Sequence, residues 1–209
     1  MTEPNRKQAQ KEQTRRRMVD AASRSFRAHG YAGIGVDAVA KAAGSTSGAF
    51  YAHFGSKTAA FEAAVASGLD EVIEALPGIQ AEHGTEWVRV FADYYLGRAH
   101  REDLACGCAM TTLSPEVVRA GAETRELYEA RMKKIVKLAA KGLAGGGKGE
   151  RRSRAWAMLG TLIGGLTLAR AVRDEALAEE IAASVRAAAV ATAGATRVRP
   201  GGTPLDEPD

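Results

Sequence analysis

The chain has 209 residues, 42 of them alanine and only two of them cysteine; that length can bury a core without disulfide staples, which excludes a disulfide-held mini-protein. Its net charge is +4 with 26% charged residues, a globular share, and the longest uncharged stretch near the C-terminus, Ala155–Ala169, has 15 residues, short of the roughly 20 that a membrane span needs. The opening MTEPNRKQAQKEQTRRR is polar and lacks an apolar secretion segment, so a cytoplasmic location is expected.

Between Asn5 and Arg199 only Pro77 and Pro115 interrupt the chain, which predicts a nearly all-helical fold. The first helix is expected from about Arg15 to His29, with Val19, Ala22 and Phe26 on one face and Gly30 as its stop. A short helix from Val36 to Ala43 turns its valines and alanines inward, and Gly44-Ser45 makes a tight turn. A third helix follows from Thr46 or Ser47 to Phe54, anchored by Phe50 and Phe54, and Ser56 caps a fourth. Two helices, a short glycine turn and a third helix are the plan of a helix-turn-helix module. Charge supports a polyanion partner for this segment: residues 1–60 carry ten Lys/Arg against four Asp/Glu, a balance of +6, whereas residues 61–209 carry 19 against 21, a balance of −2.

The segment AGSTSGAFYAHFGSKTAAF, with the FRAHGY turn and the VDAVAKAAG helix before it, closely resembles the DNA-binding region of the TetR family of bacterial regulators. The resemblance covers about 55 residues, from Arg15 to near Leu69. It implies an all-α protein: an N-terminal three-helix helix-turn-helix DNA-binding domain at residues 1–56, then a helical ligand-binding and dimerisation domain at 57–193, about nine helices in all. Gly35 stands where the family places a Ser or Thr cap, Ser45 where an apolar residue is common, and Ala52 where a polar one is common, so an operator preference cannot be carried over from relatives.

With Phe50 and Phe54 inward, helical geometry turns Thr46, Ser47, Gly48 and Tyr51 toward a DNA groove. Thr46 and Ser47 offer short polar side chains and Gly48 allows close approach. The resemblance further implies backbone phosphate contacts for Tyr51, His53 and Lys57, helped by the amides opening the fourth helix. Arg15, Arg16 and Arg17 are candidates for added backbone or minor-groove contacts. One such module reads few base pairs, so two are expected on a palindrome, half-sites about 34–36 Å apart or multiples of that.

The fourth helix is expected to end near Leu76, before Pro77-Gly78, and a fifth to run from Glu86 to His100. The latter concentrates Trp87, Phe91, Tyr94 and Tyr95, which fits either a ligand chamber or an aromatic core. Chamber candidates are Trp87, Phe91, Tyr94, Tyr95, Cys108, Met110, Tyr128, Met132 and Trp156, with Arg131 for an anionic ligand. A short helix or turn at Cys106–Leu113 precedes a helix capped by Ser114 with Pro115 at its first position and continuing to about Leu143. GGGKGE reads as a connection, lacking the spacing of a phosphate loop. Helices at about Arg151–Arg173 and Asp174–Ala193 follow. The first of these is apolar around much of its circumference, which fits burial within one chain or against a second copy; the resemblance implies a four-helix dimer interface, with Leu159, Gly160, Ile163, Gly164 and Leu166 as candidate contacts. Residues 194–209, with three Gly and three Pro, read as a disordered tail.

Cys106 and Cys108 are expected as thiols, more in keeping with small apolar packing than with reactivity. The scattered histidines give no metal site, and no catalytic signature or cofactor motif is present. The resulting expectation is a homodimeric transcriptional repressor, not an enzyme, whose partners are double-stranded DNA with a palindromic operator and a small apolar or aromatic inducer. Alternatives are a regulator switched through Cys106 or Cys108, and a helical carrier or enzyme with an incidental basic arm.

Overall fold

In a computed structural model, which describes residues 3–194, eleven α-helices and one 3₁₀ turn account for the regular structure, with no strand among the described residues. Beyond Gly194, the segment expected as a tail lies outside the described residues.

The first helix, α1 (Glu3–His29), starts twelve residues earlier than the sequence reading placed it. Gln, Lys, Glu and Arg are strong helix formers and Pro4 falls in the first turn, where its missing amide costs nothing. Met18, Ala22 and Phe26 form its buried stripe and Val19 is only half-buried. The chain leaves α1 through Gly30, whose φ of +72° suits glycine alone, and enters α2 (Val36–Ala42) and α3 (Ser47–Phe54). Gly44, at φ +63°, makes the turn between them, and the Ser45 amide donates back to the Ala40 carbonyl at 2.9 Å.

From this unit springs α4 (Lys57–His83). It is rooted in the same core: Phe61 meets Phe26 edge-on at 5.4 Å and Tyr31 at 5.2 Å. The expected stop at Pro77 does not occur. Pro77 is exposed and forfeits one backbone bond, but Leu76 beside it is fully buried, Ile79 packs on the core, and Gln80 donates to the Leu138 carbonyl at 3.0 Å. Packing on both sides of the proline holds the helix together against its propensity.

Two expected helices are each split, which raises the count from nine to eleven. The predicted Glu86–His100 helix is α5 (Trp87–Tyr95) and α6 (Arg98–Glu102), broken at Gly97, where a Cβ would lie 2.9 Å from the Asp93 carbonyl oxygen. After α7 (Ala109–Thr112), the helix expected to reach Leu143 is α8 (Ser114–Arg119) and α9 (Ala122–Gly142), with Gly121 as the α9 cap. Ser114 does not cap α8: its hydroxyl instead pairs with Tyr128 at 2.7 Å and donates to the Met110 carbonyl, while Leu113 holds the cap position.

Helix α9 runs parallel to α4, tied in ascending order by Thr124 to Glu62, Arg131 to Asp70 and Gln80 to Leu138. The last pair, α10 (Lys148–Ala171) and α11 (Glu175–Thr192), is antiparallel, with Gly165 admitting the Val185 side chain against the α10 backbone. Asp174 caps α11 by accepting from the Ala176 amide. No described helix is long and apolar enough to cross a membrane.

Candidate functional site

The exposed side of α3 is built by what its inner side fixes. Phe50 is 1% exposed and packs on Phe54 at 4.9 Å and on Tyr51 at 5.6 Å; one residue further round, Tyr51 is 52% exposed. Gly48 and Thr46 are also exposed, and His53 is half-buried. Two of the polar candidates already have work within the chain. Thr46 accepts from the Ala49 amide at 3.2 Å as the α3 cap, and Ser47 donates to the Asp37 carboxylate, fixing α3 against α2. Lys57 holds its ammonium 4.7 Å from the centre of the Tyr31 ring. Ser56 accepts from the Ala59 amide at 3.0 Å, leaving the amides of Lys57 and Thr58 directed out of the α4 N-terminus. Arg15, Arg16 and Arg17 all lie on the solvent side of α1, with Arg16 3.4 Å from Glu12. The exposed groups of α3 and the α4 N-terminus are thus hydroxyl-bearing, with Tyr51 as an exposed aromatic side chain.

A cavity of about 180 Å³ lies between α4, α5 and the loop before α7, lined among others by Gly68, Val72, Leu76, Phe91, Tyr95 and Cys108. Of the chamber candidates it takes in Phe91, Tyr94, Tyr95 and Cys108. The others stand elsewhere. Trp87 is buried with its indole NH donating to the Gly142 carbonyl at 2.8 Å, Met110 and Met132 are core residues, Tyr128 binds Ser114, and Arg131 is paired with Asp70 at the α4–α9 surface. Trp156, 41% exposed, points outward from α10. Sequence reasoning missed the α4 wall of Gly68, Glu71, Val72 and Ala75, and His100; a glycine amid the apolar positions of α4 was the available signal. At Gly68 a Cβ would come within 2.5 Å of both Ala109 and the Arg27 guanidinium.

Polar groups around this cavity are arranged by a neutral histidine. His100 Nδ1 lies 2.6 Å from the Tyr95 carbonyl, which can only accept, and the Cys108 amide, which can only donate, lies 3.0 Å from Nε2. The proton therefore sits on Nδ1. Burial, with Arg170 and Arg27 nearby, holds the His100 pKa below its usual value, against the Tyr95 carbonyl and Asp103. Protonation would bring a second N–H against the Cys108 amide. A histidine depressed in the folded state contributes stability that is complete above its unfolded value near 6.5 and is lost as pH falls through the folded value. The thermal midpoint is expected to drop between pH 7.5 and 5.5, and His100→Gln to flatten that dependence; equal slopes for the two proteins would contradict this tautomer.

Cys106 is exposed, contrary to the expected small apolar packing, and Cys108 is half-buried; both are free thiols. Burial pushes the Cys108 thiol up, which keeps it protonated and a poor nucleophile. Among the described residues no cluster of three metal-ligating side chains occurs.

One side chain joins the helix-turn-helix unit to the cavity wall. Arg27, on α1, has its side chain only 4% exposed. Its guanidinium donates to Glu71 at 3.0 and 3.1 Å, to the Gly107 carbonyl at 2.9 Å and to the Cys106 carbonyl at 3.4 Å. Glu71, Cys106 and Cys108 all line the cavity.

The outer face of α10 exposes small and apolar residues, and that of α11 mixes alanines with Glu180 and Ser184. Gly160 and Gly164 are exposed in line with Trp156, and Leu168 and Leu177 are 59% and 41% exposed. Ile163 is half-buried. Leu159 and Leu166, expected on this face, are 1% and 0% exposed in the single chain and point into its own core: one helix cannot turn all of its leucines toward a partner.

Residues 18–64 match the family profile of bacterial regulatory proteins of the tetR family. Over its length the fold is that of several solved regulators. The reduced form of NemR from E. coli superposes with a TM-score of 0.70 at 19% identity, covering 83% of this chain and 95% of that one. A TetR-family regulator from Cytophaga hutchinsonii gives 0.70 at 19% identity over 90% and 96%. A third, from Chloroflexus aurantiacus, gives 0.64 at 24% identity over 84% and 93%. Among curated proteins none matches the chain. The helix-turn-helix segment thus matches the tetR family of bacterial regulatory proteins, and the helical body that follows it has the fold of the solved TetR-family regulators.

Proposed function

We propose that the protein is a homodimeric repressor, its DNA-binding domain at residues 1–56 and its ligand-binding and dimerisation domain at 57–193, released from a palindromic operator by a small apolar or aromatic ligand in the α4–α5 cavity. The observation that carries the reading is the Arg27 tie. A ligand that displaces Glu71 or the Cys106–Cys108 loop acts on the hydrogen bonds that hold α1, and α1 carries the module that holds α3. Phe91, Tyr95 and Val72 suit an apolar body, and the exposed Tyr94 hydroxyl can orient a polar end. DNA contacts fall to Tyr51, His53, Lys57, Gly48 and the cap hydroxyl of Thr46, with Arg15, Arg16 and Arg17 adding charge. The partner copy would lie on Trp156, Gly160, Ile163 and Gly164 of α10 and the small residues of α11. The protein acts by binding, in the cytoplasm, and not as an enzyme.

Retardation of the DNA flanking its own gene tests the reading. A small aromatic compound that raises the thermal midpoint of the full chain should weaken DNA binding by the same coupling free energy, about 1–3 kcal/mol; stabilising compounds that never change DNA affinity would refute ligand release. Gly164→Glu, which places a charge on the close-packed face, is expected to give monomers in sedimentation, about a hundredfold weaker operator binding, and a lower thermal midpoint that no longer rises with protein concentration. Cys106 is exposed at the cavity, so a thiol switch has a place to act; an inducer response that survives Cys106→Ser with Cys108→Ser removes it.

A further inference from the structure

The balance of −2 over residues 61–209 conceals a second basic pole. Between Ala130 and Arg154 there are nine Lys/Arg and one acid, Glu150. Five of these cations, Lys137, Lys141, Lys148, Arg151 and Arg152, line one groove of about 410 Å³ between the C-terminal half of α9 and the first turns of α10. Leu138 and Ala140 lie at its base, and the lysine stems give it apolar walls beneath charged tips. None of the five pairs with a carboxylate among the described residues; Lys133 is taken by Glu129, and Glu150 folds back over Gly146 and toward Arg154. Arg151 is held in place by donating to the Gly146 carbonyl at 2.7 Å. The glycine loop delivers the chain into α10 with no side-chain cap on its first amides, so the same end of the groove carries the positive end of a 24-residue helix.

This groove cannot touch the duplex that α3 faces. Gln80 bonds to Leu138, at the groove, and lies 23 residues along α4 from Lys57, about 35 Å at helical rise. An apolar base under a cationic rim is also poorly matched to a sugar-phosphate chain. It matches a molecule with both parts: we propose that the groove binds a soluble amphiphilic anion, an acyl chain along Leu138 and the lysine stems with a phosphate-type head among Lys141, Lys148, Arg151 and Arg152. The site is separate from the α4–α5 cavity and shares no lining residue with it.

Calorimetric titration with monomeric dodecyl phosphate at low salt tests this on the full chain. One dodecyl phosphate per chain is expected to bind, about tenfold more tightly than inorganic phosphate or dodecanol. The triple variant Lys141→Gln, Lys148→Gln, Arg152→Gln should bind it about tenfold more weakly, the sum of three exposed charge contacts, while its thermal midpoint stays that of the parent. Parent-like affinity in the triple variant would overturn the site. Equal affinity for inorganic phosphate would overturn the acyl component, and binding to phosphatidylglycerol vesicles without binding of the monomer would overturn the soluble ligand.

Discussion

Arg27→Met is expected to cost about 1–3 kcal/mol of stability and to uncouple the cavity from DNA. The guanidinium is buried, and without it the carbonyl of the buried Gly107 loses its donor. Glu71 is 59% exposed and can turn to water, so the stability loss comes mainly from the orphaned carbonyl groups. The functional loss should be larger than the loss of fold: an inducer that weakens DNA binding of the parent should still bind the variant, with its effect on DNA reduced toward none. Thermal unfolding and operator titration with and without inducer measure both. A variant with the parent's full inducer response would show that Arg27 is only a structural tie.

Phe50→Ala should be more damaging to the module that meets DNA. Phe50 is 1% exposed and touches both other aromatic residues of α3, so truncation removes a filled core position at about 3–5 kcal/mol. Operator binding should be abolished. Tyr51→Ala, one residue away and half-exposed, is the control: DNA affinity should fall with little change in thermal midpoint. Loss of DNA binding in both variants with loss of stability in Phe50→Ala alone would separate the packing role of α3 from its contact role.

The contrast between adjacent positions explains how much of the protein was legible in its sequence. Gly30, Gly44 and Gly55 all have positive φ, from +63° to +74°, and such positions punctuate the first module visibly in the residue string. Helix spacing then placed Phe50 inward and Tyr51 outward. Local rules failed where distant packing decided the outcome. Pro77 passes through α4 because Leu76 and Gln80 are held by other helices. Aromatic clustering located Phe91, Tyr94 and Tyr95 at the cavity, but Trp156 lies on the opposite side of α10, and nothing local distinguishes the two faces of so apolar a helix. The Arg27 tie joins residues 44 and 80 apart, beyond any periodicity. The basic groove was hidden by arithmetic, since acids elsewhere on the C-terminal helices cancel its charge in the sum.

The central claim is that two copies joined along α10 and α11 present two α3 helices to one duplex. Sedimentation velocity of the purified chain, alone and with a palindromic fragment from the DNA flanking its own gene at low salt, tests it most directly. A two-chain particle is expected in both cases, with a complex of two chains per palindrome that Tyr51→Ala weakens. A single-chain particle that leaves the palindrome free would contradict it.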